Sequence, residues 1–229
     1  VIALGLGLFN GLFIGVLRNH FRVPSFITTL GLLSIWRGVA YLITDGYPIS
    51  PFPQNFSVWG SGRVLAVPVA VYVMIALFAI GIYLLNYTRL GRFVYATGSN
   101  SDAAMLSGVP VQRIRTISFM LTGVMAAIVA ILVSSRLMAS TPVIGQTWEL
   151  DVIAAVIIGG CSLAGGKGSL YNTFVGAALI AALRNGMVML GVPPYVQFVV
   201  QGGIIIVAVL LSNLELSRGR KGAETTPVK

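Results

Sequence analysis

Two places in this chain bring together residue types that could do chemistry. Glu149 and Asp151 are the only acids, among six, that stand close to one another, and they open an apolar run. Carboxylates so placed can line the polar mouth of a path through an apolar body, or can simply suit the positive N-terminal end of a helix. The second place is Gly165-Gly166-Lys167-Gly168-Ser169, which has the composition of a phosphate-binding loop. Its spacing is wrong: that loop needs Gly, four residues, then Gly-Lys-Ser/Thr, whereas position 161 is Cys and position 168 is Gly. A glycine turn between helices near a membrane surface fits better. The rest of the inventory is thin. One histidine (His20), one cysteine (Cys161) and widely spread acids offer no metal site, and a lone cysteine forms no internal disulfide. No catalysis, metal or bound cofactor is expected of this chain.

The elements holding these residues are apolar to an unusual degree. Of 229 residues, 56% are hydrophobic and 9% charged, with mean hydropathy +0.91. A soluble domain carries about 25% charged residues, so the chain belongs in a lipid bilayer. The net charge of +9 would suggest nucleic acid in a soluble protein. Here the basic residues flank apolar runs, where membrane orientation and anionic lipid account for them, and no nucleic-acid partner is expected.

Charge gaps set the spans. Residues 1–17 form a partial span whose Gly7, Gly11 and Gly15 recur every four residues, on one face where another helix can approach closely. Residues 24–43, 64–87, 116–135, 170–190 and 195–213 read as further helices, each near the roughly 20 residues that cross a bilayer. Residues 149–163 are short and spanning or re-entrant. The expected fold is an all-α polytopic membrane protein with about six to seven transmembrane helices, in one transmembrane domain over 1–214, followed by a basic, disordered cytoplasmic tail over 215–229. Val1 already lies inside an apolar run, so preceding spans are expected to be missing. Placing the loop at 88–115 in the cytoplasm puts Arg18, Arg22, Arg89, Arg92, Arg113, Arg115, Lys167, Arg218, Arg220, Lys221 and Lys229 on one side, eleven of the fifteen basic residues. That follows the positive-inside rule.

The loop 88–115, TRLGRFVYATGSNSDAAMLSGVPVQRIR, is too patterned to be only a connector. Asn100 or Ser101 can cap a short helix, Asp102 suits its positive end, and Gly108 can stop it in a left-handed conformation. Ala103, Ala104 and Leu106 would give it a small apolar surface. A helix so short outside the membrane has too little core of its own, and it needs lipid, the rest of the protein or a partner to rest on.

This loop resembles the cytoplasmic coupling loop of ABC importer permeases of the ribose, xylose and arabinose type, and of their branched-chain amino-acid relatives. Gly91, Arg92, Ala96, Gly98, Asn100, Ala103, Ala104, Ser107 and Gly108 match the pattern T-x-x-G-R, A-x-G-x-N-x-x-A-A, S-G in order. Val23-Pro24-Ser25-Phe26-Ile27 with Arg37-Gly38, Glu149-Leu150-Asp151 with Ile153-Ala154-Ala155 and Gly159-Gly160, and Gly165-Gly166 with Gly168-Ser169 agree as well. The resemblance runs from about residue 1 to about 211. It implies a permease subunit of the bacterial cytoplasmic (inner) membrane with its C-terminus in the cytoplasm. It also implies a second permease copy or paralogue, two ATP-binding subunits that use ATP and magnesium, and an extracytoplasmic sugar-binding protein. Asp102 would lie with the matched residues in the loop that meets the ATPase.

A transport path needs polar lining. Ser25, Thr28, Thr29, Glu149, Asp151, Gln197 and Gln201 could supply it, though Ser and Thr commonly bond their own helix backbone in lipid. Arg37 and Arg184 lie inside predicted helix ends, where an arginine snorkels to the interface, lines a cavity or braces a neighbouring helix. A branched-chain amino-acid permease and a secondary transporter or channel remain the other readings. The last would need ionisable groups in mid-span, and few exist here.

Overall fold

The computed structural model describes residues 1–162 and 165–224, and for 211–224 the backbone alone. The described chain is helical apart from one two-stranded hairpin and an isolated bridge. Its contacts fall into two compact units, divided after Ile144.

In the first unit, α1 (Ile2–His20), α2 (Ser25–Thr44), α4 (Val69–Tyr87) and α7 (Val111–Leu137) are long and apolar enough to cross a membrane. The short α3 (Ser57–Ser61) lies before α4, and α5 (Arg89–Ser99) and α6 (Ser101–Leu106) lie between α4 and α7. At 27 residues α7 is about 40 Å long at 1.5 Å per residue, longer than the hydrocarbon is thick. Its first turn therefore carries Arg113 and Arg115, which the sequence placed in the loop. Pro110, with no N–H to lose, fixes that start.

α1 and α7 form the main contact of this unit. Gly7, Gly11 and Gly15 all face α7. A Cβ on Gly7 would collide with the backbone of Gly123, one on Gly11 with Phe119 and Met120, and one on Gly15 would stand 2.7 Å from Thr116 Oγ1. Asn19 ties the end of the seam by donating to Gln112 O and Thr116 Oγ1, each at 2.9 Å. In lipid there is little hydrophobic drive between helices, so close backbone approach through small residues supplies the attraction. α2 joins this pair through Trp36 Nε1, which donates to Asn10 Oδ1 at 2.7 Å.

The connection between α2 and α4 is more ordered than its turn-rich sequence suggests. Ser135 on α7 is fully buried; its Oγ accepts from Gly60 N at 2.8 Å and donates to Phe56 O. Arg63–Val64 then pairs antiparallel with Val67–Pro68 through a turn at Leu65 and Ala66, both with positive φ. The span expected from residue 64 accordingly begins at Val69: the apolar run continues, but the hairpin and the missing N–H of Pro68 delay the helix.

The second unit holds α8 (Trp148–Ile158), α9 (Leu170–Met189) and α10 (Pro194–Glu224). Ala154, Ala155 and Ile180 form its core, with Ile204 and Ile205 packed on them. Gly159 abuts the backbone of Asn172 and Thr173, and Gly176 that of Ala155, so α8 and α9 also meet through glycines. At 11 residues α8 is about 16 Å long, too short to cross a bilayer alone. α9 has the length but carries Asn172, Thr173, Arg184 and Asn185. The described apolar part of α10 is Pro194–Leu210. Among the described residues four helices therefore combine length and apolarity, where six to seven spans were expected. The backbone of α10 continues as helix to Glu224; 225–229 lie outside the described residues.

Candidate functional site

Thr88 turns the chain from α4 into the segment 88–115. Its Oγ1 donates to Leu84 O at 2.5 Å and accepts from Gly91 N at 3.4 Å, capping α5 while closing α4. Gly91 is buried, and a Cβ there would meet Leu85 Cα at 2.5 Å. Only glycine lets α5 fold back so tightly on the end of α4. Arg92 is exposed, and Gly98 lies near the C-terminal end of α5.

Asn100 separates α5 from α6. Its backbone is extended, and its Oδ1 accepts from Asp102 N and Ala103 N, both at 3.0 Å. Asp102 sits exposed in the first turn, where its charge suits the helix dipole. The C-terminal end is closed as firmly. Ser107 Oγ donates to Ala103 O at 2.9 Å, Gly108 takes φ +81°, and Val109 N donates to Ala104 O at 3.0 Å. A left-handed glycine that brings later N–H groups back onto the last carbonyls is how a helix this short is terminated.

Two expectations need correction here. The segment 88–115 is two helices plus the first turn of α7, not a loop with one helix. Ala104 does not belong to the exposed apolar surface: it is 6% exposed and turned into the protein, where α6 lies against α5 and α7. The outward residues are Ala103, Met105 and Leu106, with Leu106 90% exposed.

In the second unit, polar side chains from all three helices converge. Arg184 Nη1 on α9 forms an ion pair with Asp151 Oδ2 on α8. Gln201 Nε2 on α10 donates to Asp151 Oδ1 at 2.6 Å and reaches Thr147 O at 3.4 Å. One carboxylate thus holds three helices. Beside it lies a cavity of about 90 Å³ that Gln197 and Phe198 also line. Gln197 Nε2 donates to Val192 O at 2.8 Å. Of the roles open to Arg184, the structure shows both the brace between helices and a place in the cavity lining. Glu149 is exposed in the first turn of α8, apart from this group.

The path candidates of the first unit do not form a comparable group. Thr28 Oγ1 donates to Pro24 O at 3.3 Å and Thr29 Oγ1 to Phe26 O at 2.9 Å, each within its own helix. Ser25 occupies the first turn of α2. The sequence did not reveal the partners of the glycine stripe, the buried Ser135, or the pairing of Asp151 with Arg184; each joins residues far apart in the chain. Among the described residues no group of side chains could hold a metal ion.

Residues 1–209 match the family described as branched-chain amino acid transport system, permease component. The chain belongs to this permease family. The match covers the short capped helix and the Asp151 group together. Among relatives, the permease is 42% identical over 215 residues to the ribose import permease protein RbsC of Escherichia coli K12, covering 92% of this chain and 67% of that one. It is 34% identical over 274 residues to the xylose transport system permease protein XylH of Haemophilus influenzae, with coverage of 93% and 73%. The L-arabinose transport system permease protein AraH of E. coli K12 is 36% identical over 199 residues, with coverage of 87% and 61%. The permease thus spans about two thirds of the length of these relatives. No solved structure matches it. It is an all-α membrane protein and a permease component of a transport system.

Proposed function

We propose that this chain is the membrane-spanning subunit of an ATP-driven ABC importer that moves a simple sugar, handed over by an extracytoplasmic binding protein. The observation that carries the reading is α6. It is a six-residue helix capped at both ends, buried through Ala104 on one side and presenting Met105 and Leu106 on the other. Such a helix suits transmission of a push. Pressure on Leu106 would pass through Ala104 to α7, whose Val111 and Ile114 are buried nearby in sequence, and from α7 along the glycine seam to α1. The partner pushing would be an ATPase, since the phosphate-loop spacing is absent from this chain; ATP and magnesium would be used there, by two such subunits serving a pair of permease chains.

The sugar class is supported by relatives named for ribose, xylose and arabinose. The branched-chain amino-acid reading is favoured by the family description alone. Residence in the bacterial cytoplasmic membrane, with α6 and the C-terminus in the cytoplasm, is the reading that the distribution of basic residues supports.

Reconstitution with the neighbouring ATPase and binding protein tests this directly. The complex should import at least one of D-ribose, D-xylose and L-arabinose on addition of ATP, and the purified permease alone should hydrolyse none. Import of L-leucine in place of all three sugars would overturn the substrate class, and ATP turnover by the isolated chain would overturn the division of labour.

A further inference from the structure

The Asp151 group has properties beyond bracing. A carboxylate has about four acceptor positions and a guanidinium five N–H donors, and the ion pair with the Gln201 bond engages only some of each. Both glutamines donate through Nε2, leaving two Oε1 carbonyls as acceptors. The cavity these groups line, about 90 Å³, has room for about three water molecules at roughly 30 Å³ each. Its lining also includes apolar side chains, Phe198 and Ile180 among them. The wall therefore combines balanced donors and acceptors, no net charge, and apolar side chains.

We propose that Asp151, Arg184, Gln197 and Gln201, with Phe198, form a charge-neutral contact site for the transported solute that accepts uncharged polyhydroxylated molecules and rejects zwitterions. This rests on the importer reading above and deepens it. A hydroxyl both donates and accepts, so a polyol adds hydrogen bonds to the Asp151–Arg184 pair without parting it. Its C–H face can lie against Phe198. An amino acid gains from the site only by setting its ammonium on Asp151 and its carboxylate on Arg184, which means separating a pair that is already matched. The pair is part-exposed, its side chains 44% and 20% accessible, so a zwitterion that exchanges one matched contact for two gains little over its own hydration. The same ion pair that stitches α8 to α9 thereby acts as the discriminating element.

The test uses the full-length permease assembled with its ATPase and binding protein. In a Cys161→Ser background, Met187→Cys places one thiol on the cavity wall, away from the polar contacts. Alkylation of that thiol by N-ethylmaleimide should slow at least threefold in a large excess of whichever sugar of ribose, xylose or arabinose the wild-type complex imports, and be unchanged by L-leucine. In parallel, the exchange Asp151→Arg with Arg184→Asp keeps an ion pair between α8 and α9 but reverses its polarity beside the glutamines. It should lower sugar import tenfold or more. Absence of protection by the imported sugar, equal protection by leucine, or wild-type import by the exchanged pair would each overturn the contact site while leaving the sugar-importer reading standing. A wild-type complex that imports leucine and none of the sugars would overturn both.

Discussion

Gly7 on α1 and Gly123 on α7 touch backbone to backbone: a Cβ on either residue would fall on the carbonyl of the other. Because the obstacle is main chain, a neighbouring rotamer cannot make room. Replacing Gly11, the middle of the stripe, by Leu should separate the helices and destabilise the fold by about 1–3 kcal/mol or more. Thermal unfolding in detergent reads this out, and Gly5→Leu, where a Cβ would meet nothing within 4 Å, serves as the matched control.

Asn100→Ala removes the acceptor from Asp102 N and Ala103 N. Loss of such a cap costs about 1 kcal/mol, which is large for a helix of six residues. Amide hydrogen exchange at Ala103 should accelerate severalfold, and Asn100→Asp should restore most of the protection.

Leu106→Arg and Ala104→Arg should fail in different ways. Leu106 is almost fully exposed, so its replacement should leave the permease folded and abolish co-purification with the ATPase. Ala104 is buried, and arginine there should undock α6 and lower the yield of folded protein as well. Size-exclusion profiles alongside pull-down separate the two; loss of folding in Leu106→Arg would contradict the outward-facing assignment.

Ser135→Ala leaves Gly60 N and Phe56 O without their partner. An unsatisfied buried group costs about 1–3 kcal/mol, and here the cost is local. Limited proteolysis should open the segment around Gln54–Ser61 while α1 and α7 stay protected.

Thr28→Val removes a hydroxyl that bonds only its own helix. Sugar import in the reconstituted complex should stay within twofold of wild type. A tenfold loss would place Thr28 on the path.

What could be read from the chain alone was what local neighbours decide. Residues 25–44 are apolar between punctuating charges and a proline, and α2 begins and ends within a residue of the expected limits. The Asn100 cap and the Gly108 stop act over three or four residues, so their residue types suffice. The inward face of α6 could not be read, because which side of a six-residue helix is covered depends on α7. The start of α4 was misplaced because Val64 is apolar whether it continues a helix or pairs in a hairpin. Gly123 carried no signal until α1 lay beside it, and Asp151 meets Arg184 across 33 positions.

The short α8 has a consequence for where water goes. A helix of about 16 Å that starts at either membrane surface stops about half-way across the roughly 30 Å of hydrocarbon. Past Ile158 the chain leaves helix, yet the N–H groups of Gly159, Gly160 and Cys161 return to carbonyls of α8 and Ser162 N donates to Lys167 O, so these donors are met inside the protein, as backbone at such a depth requires. Water is therefore not needed to satisfy these amides. In a nanodisc the amides of Cys161 and Ser162 should therefore exchange slowly, and rapid exchange there would show that water reaches this stretch.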